Sequence, residues 1–239
     1  MKKTSLDRIL QSQGFGSRKG CRDLIEEGEV KVNGELVTKW KTEFDPEGLQ
    51  FTVFDEEWEY REKVYLVLNK PSGYECSRKP THHPAVLTLF PENMEWRDVQ
   101  PVGRLDHDTT GMLLLSDDGA FIYAQSSPKR HQPKTYLATT AEPVTDKLVA
   151  DLLAGVKLID EDEPIAAVSA VKRGDHQIEI VLEQGKYHQV KRMLAAAGNH
   201  CAALSRTAIG NLQLADLDLE EGEWRFLTEA ELQILNKQD

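Results

Sequence analysis

Acidic and basic side chains crowd one short stretch, Gly103-Arg104-Leu105-Asp106-His107-Asp108-Thr109-Thr110-Gly111. Two carboxylates flanking an imidazole are donors that a metal ion takes. They are equally the groups of acid–base or nucleophilic chemistry. The spacing separates these uses. On an extended backbone Asp106 and Asp108 project to one side and His107 to the other, so the three do not converge. No H-x-E, H-x-x-x-H or cysteine pair supports a zinc site, and no metal is expected. Two readings remain: one carboxylate held in a turn while its neighbours serve structure, or a loop that is structural throughout.

Charge gives that stretch its setting. The 239 residues include 29 Lys and Arg against 40 Asp and Glu, a net charge of −11, which at first sight excludes a polyanionic partner. The distribution reverses this. Residues 1–42 carry a net +3, whereas residues 43–63 and the stretch after Leu214 each carry −6. Two long windows hold no carboxylate at all. Residues 119–141 carry Lys129, Arg130, His131 and Lys134, and residues 184–215 carry Lys186, His188, Lys191, Arg192, His200 and Arg206. These windows fit either a locally positive, polyanion-binding surface or two buried strands with an Ala-rich helix. The three cysteines, Cys21, Cys76 and Cys201, lie far apart with no C-x-x-C pair, which favours a reducing cytoplasm over a disulfide framework. No apolar run approaches the roughly 18 residues of a membrane span. No heptad seam asks for a second copy, so a monomer is expected.

The elements that must position these groups follow from local signals. A short helix over 5–12 stops at Gly14. Ser17 caps a second helix over 18–27 with Gly28 as its stop, and Val30 to Val37 form a hairpin around Asn33-Gly34. The acidic segment 45–62, with Asp45-Pro46-Glu47-Gly48, reads as a linker. Beyond it, strands are expected at 64–68, 112–115, 135–140 and 176–182, and helices at 145–153 and 187–197. A last helix opens on the capping box Thr228 and Glu231. The fold class is α+β: a small helical and hairpin module over 1–60, then a larger mixed domain over 61–239.

The segment Gly103 to Gly111 resembles the catalytic motif of the bacterial ribosomal RNA pseudouridine synthases. Three further segments agree with it, Leu68-Asn69-Lys70-Pro71-Ser72-Gly73-Tyr74, Lys134-Thr135-Tyr136, and Gly185-Lys186-Tyr187-His188-Gln189-Val190-Lys191-Arg192-Met193. The first module resembles the alpha-L RNA-binding domain shared with a small-subunit ribosomal protein, through Leu6-Asp7-Arg8, Ser17-Arg18 and Val32-Asn33-Gly34. The resemblance covers nearly the whole chain. It implies a mainly antiparallel catalytic sheet and a cofactor-free isomerisation of uridine in RNA.

It also implies roles for particular residues. Asp106 is the essential carboxylate, which must be ionised and so needs a positive partner, for which Lys191 stands at the family's basic position. Tyr136 packs on the target base. Arg104 occupies the place of the extruded nucleotide or grips its phosphate, and Leu204 walls the uracil. Arg8, Arg18, Lys19, Arg22 and Lys31 are candidate phosphate contacts. Cys76-Ser77, His83-Pro84 and Asp106 to Gly111 resemble most the branch acting on small-subunit (16S) ribosomal RNA. His107 departs from the family, which more often has an aliphatic residue there. Three alternatives remain: a large-subunit (23S) enzyme, a non-catalytic assembly factor, and a two-carboxylate hydrolase using Asp108.

Overall fold

The structure, a computed structural model, describes residues 2–236. Its contacts divide the chain into two units, Met1–Val64 with Leu87–Gln100, and Tyr65–Val86 with Pro101–Asp239. Segment 87–100 packs with the first unit.

In the first unit β1 (Thr4–Ser5) leads into α1 (Leu6–Ser12), followed by α2 (Arg18–Glu26), β2 (Val30–Val32), β3 (Glu35–Leu36), β4 (Glu43–Phe44), β5 (Gln50–Val53), β6 (Glu56–Glu59) and α3 (Glu92–Trp96). The Ser17 hydroxyl accepts from Gly20 N at 3.1 Å and so starts α2. Asn33 and Gly34 both have positive φ, the conformation that a two-residue hairpin turn demands between β2 and β3. The strands lie in the order β3-β2-β5-β6. Leu6, Ile9, Leu10, Cys21, Ile25, Val30, Phe51 and Val53 fill the core beneath the two helices.

A charge sits inside this core. Asp7 is fully buried, and its Oδ2 receives the Nε groups of Arg18 at 2.9 Å and Arg22 at 2.8 Å. The Ser5 hydroxyl donates to its Oδ1 at 2.6 Å. Burial works to raise the Asp7 pKa, but the bonds from Ser5, Arg22 and Arg18 outweigh it and hold the carboxyl at about 2. A carboxyl depressed in the folded state stabilises it fully above the unfolded pKa and ceases to as pH falls through the folded value. Asp7→Asn is therefore expected to lose about 2 kcal/mol at pH 7. Urea unfolding should show that deficit shrinking between pH 4 and pH 2; a deficit independent of pH would contradict it.

The second unit contains β7 (Tyr65–Lys70), α4 (Gly119–Ser126), α5 (Asp146–Ala154), α6 (Gln189–Ala196), α7 (Glu229–Asn236) and most of the strands. After the two-residue β8 (Gln100–Pro101) these are β9 (Thr110–Ser116), β10 (Lys134–Thr140), β11 (Ser169–Gly174), β12 (Gln177–Leu182), β13 (Cys201–Ile209), β14 (Leu212–Gln213) and β15 (Trp224–Phe226). The sheet runs β11-β12-β10-β13-β9-β7-β15. Its pairs are antiparallel apart from β13 with β9, which are parallel. One cluster joins α5 and α6 to the sheet through Leu148, Leu152, Val190, Met193, Ala138, Ile180 and Leu204. A second joins α4 and α7 to it through Phe121, Leu235, Val67 and Leu114. The capping box forms as expected: Thr228 N donates to Glu231 Oε2 at 2.8 Å and Glu231 N to Thr228 Oγ1 at 3.3 Å. No helix among the described residues is long and apolar enough to cross a membrane.

Candidate active site

The site is built on the ends of β7 and β9. Lys70 closes β7 and is fully buried. Its ammonium donates to the carbonyl oxygens of Pro71 (3.0 Å), Asp106 (3.2 Å), His107 (3.2 Å) and Thr109 (3.0 Å). Segment 106–109 is thus wrapped around one side chain, and burial lowers the pKa of that lysine despite nearby carboxylates. Thr109 N closes the turn on Asp106 O at 3.1 Å, and Gly73 N bonds His107 O at 2.7 Å. Gly111 then lets β9 enter the sheet. It lies beside Arg206 in the parallel pairing, at φ 98°, and a Cβ there would fall 2.3 Å from Arg206 O. Only glycine fits that approach.

The carboxylate carried by this turn is held at both oxygens. Asp106 Oδ2 lies 3.3 Å from Lys191 Nζ, and Oδ1 lies 3.2 Å from His188 Nε2. Lys191 also binds Asp108 Oδ1 at 2.6 Å, so Asp106 and Asp108 share one side of the segment. The His107 ring goes elsewhere and stacks on His83, with centroids 4.3 Å apart. Burial works to lower the Lys191 pKa, but the two carboxylates overcome it and raise the value; burial raises that of Asp108, and Lys191 reverses it. Among the described residues, no three His, Cys, Asp or Glu side chains gather as metal ligands.

A narrow cleft of about 70 Å³ opens over Asp106, lined also by Arg104, Thr109, Tyr136, Leu182, His188 and Leu204. Five residues singled out in the sequence therefore meet here: Arg104, Asp106, Tyr136 and Leu204 in the cleft wall, and Lys191 on the carboxylate. Tyr136 stands opposite Arg206 across β10 and β13. Arg206 is buried, its Nε bonded to Met112 O at 2.8 Å. Burial and then the Arg206 charge push Lys134 down to about 8. Arg8, Arg18, Lys19, Arg22 and Lys31 belong to the first unit. There Lys31 pairs with Asp55 at 2.7 Å, and the Arg22 guanidinium lies 3.9 Å over the Trp40 ring.

Three features escaped the sequence. Lys70 and His188 stood inside quoted motifs without a role, and their spacing alone announces none. The acid-free window 184–215 is not an unpaired positive surface. Lys186 pairs with Glu161, Lys191 with Asp106 and Asp108, and Arg192 with Asp160 at 2.9 Å. Carboxylates absent from the window arrive in space from other segments.

Comparison with known proteins gives the same assignment. Residues 4–47 match the S4 domain, and residues 64–196 match the RNA pseudouridylate synthase family. The chain is 37% identical to "Uncharacterized RNA pseudouridine synthase YtzG" of Bacillus subtilis, covering 97% of this chain and 98% of that protein. It is also 37% identical to "Ribosomal small subunit pseudouridine synthase A" of Escherichia coli, over 95% of this chain and 97% of that one. A solved structure described as "Crystal structure of pseudouridylate synthase" superposes with a TM-score of 0.68 at 36% identity, covering 97% of this chain and 99% of that chain. With over half of its length in the matched domain and an aspartate, tyrosine and lysine gathered around one cleft, the chain belongs to the RNA pseudouridylate synthase family.

Proposed function

We propose that this protein isomerises a specific uridine of small-subunit (16S) ribosomal RNA to pseudouridine, without a cofactor, as a cytoplasmic monomer. The observation that carries the chemistry is the Asp106 carboxylate, ion-paired to Lys191 and facing a cleft shared with Tyr136. The net reaction breaks the C1′–N1 bond and forms C1′–C5, while C5 loses a proton and N1 gains one. Asp106 serves it either by attacking the anomeric carbon or by removing a ribose proton, and both require an ionised carboxylate. Lys191 supplies the countercharge. A stacked uridine cannot reach the cleft, so the nucleotide must be extruded, at a cost of roughly a few kcal/mol. Tyr136 then packs on the base, Leu204 walls it, and Arg104 fills the vacated space or binds its phosphate.

In the first unit Arg8, Arg18, Lys19, Arg22 and Lys31 contact phosphates. The Nε groups of Arg18 and Arg22 are committed to Asp7, which leaves their outer guanidinium nitrogens for RNA. Small-subunit specificity is supported by the name of the Escherichia coli relative. The test uses transcripts carrying tritium at uridine C5, incubated with purified protein in EDTA. Tritium release from small-subunit RNA, or its protein-bound particle, is expected. Release from large-subunit RNA alone would overturn the specificity, and binding without release would favour an assembly factor.

A further inference from the structure

His188 lines the cleft but has no part in the chemistry above. It occupies the N-cap position of α6, yet its side chain makes no capping bond. Its backbone is left-handed, at φ 47° and ψ 35°, a conformation that costs of order 1 kcal/mol for a residue with a Cβ. Asparagine or glycine suits such a backbone better. The imidazole instead lies nearly flat on Tyr187, with centroids 3.8 Å apart and planes at 18°, and sends Nε2 to Asp106 Oδ1 at 3.2 Å. Lys191 takes the other oxygen but sits closer to Asp108, at 2.6 Å against 3.3 Å. Alone, that lysine leaves the Asp106 carboxyl free to turn about Cβ–Cγ.

We propose that His188 is a positioning residue for Asp106: its Nε2–H donates to Oδ1 and fixes the rotation of the carboxylate facing the ribose. The strained backbone at 188 and the stacked Tyr187 ring set the direction of that bond. The inference rests on Asp106 being the reacting carboxylate.

Two substitutions separate the parts of the imidazole. His188→Phe keeps a flat ring against Tyr187 and removes the donor, whereas His188→Gln keeps a donor close to the Nε2 position. His188→Phe is expected to lower kcat by up to about 100-fold with KM little changed, as a misplaced reacting group does. His188→Gln is expected to recover most of that loss. Asp106→Asn is assayed alongside. If His188→Phe turns over like the parent while Asp106→Asn is inactive, the positioning role is overturned and the site assignment stands. A raised KM at unchanged kcat, or a folded His188→Gln as impaired as His188→Phe, also overturns it. An active Asp106→Asn overturns the site assignment and this inference together. Thermal unfolding confirms that each variant is folded, and His188→Leu carries the same comparison if the phenylalanine variant is not.

Discussion

Asp106→Asn is expected to fold like the parent protein and to turn over at least about 10⁴-fold more slowly, the scale at which reactions lose an essential reacting group. Asparagine keeps the size and planarity of the side chain, and its Oδ1 can still accept from one of the two neighbours. It cannot be ionised, so neither attack on C1′ nor proton removal from the ribose remains open to it. At the other neighbour the amide sets donor against donor. Lys191, whose pKa is raised by Asp108 and Asp106 together, then keeps a single carboxylate partner, and its pKa is expected to fall. Tritium release in single-turnover assays measures the first effect, and thermal unfolding shows whether the fold is intact. Turnover near the parental rate would mean that another group does the chemistry.

Lys70→Met carries the second large effect. Methionine matches the length of the lysine stem but leaves the Pro71 and Thr109 carbonyl oxygens without this donor, whereas those of Asp106 and His107 keep their bonds from Thr109 N and Gly73 N. Each buried acceptor left unmade costs about 1–3 kcal/mol. Relief of the burial penalty that already lowers the lysine pKa offsets part of this. A net loss of roughly 2–4 kcal/mol is expected, within the range of broken buried networks. Turnover should fall with it, because the turn that aims Asp106 loses its centre. Arginine should not rescue, since a planar fork cannot replace an ammonium among convergent carbonyls. Urea midpoints and turnover, both measured at a temperature where the variant is folded, check the two halves. A variant with parental turnover would show that the turn holds its shape without the lysine.

What could be read in the sequence follows from how local each cause is. Ser17, Thr145 and Thr228 announce their helices because a cap is satisfied within three residues, and each makes that bond in the structure. Asn33-Gly34 announces its hairpin for the same reason. The start of α6 was misread at Tyr187 because helical periodicity continues through a histidine whose left-handed backbone delays the helix to Gln189. Strand β13 had no apolar signature, since the buried side of Cys201–Ile209 includes Arg206 between Leu204 and Ala208. The Asp7 bonds to Arg18 and Arg22 span 11 and 15 residues, so no spacing rule pairs these candidate phosphate contacts with a buried carboxylate. Within the site the extended-backbone argument does not apply, because 106–109 is a turn closed by Thr109 N on Asp106 O, and Asp106 and Asp108 meet on Lys191 from that turn. The contact with His188 bridges a turn and a helix start far apart in sequence, and no spacing rule reaches that far.

The most direct test of the central claim maps pseudouridine across both ribosomal RNAs. It compares cells lacking the gene with cells complemented by the parent protein or by Asp106→Asn. The account predicts one small-subunit uridine that stays unmodified without the gene, regains pseudouridine with the parent protein, and does not regain it with Asp106→Asn. Unchanged modification of the small-subunit RNA in the deletion, or restoration by Asp106→Asn, would contradict it.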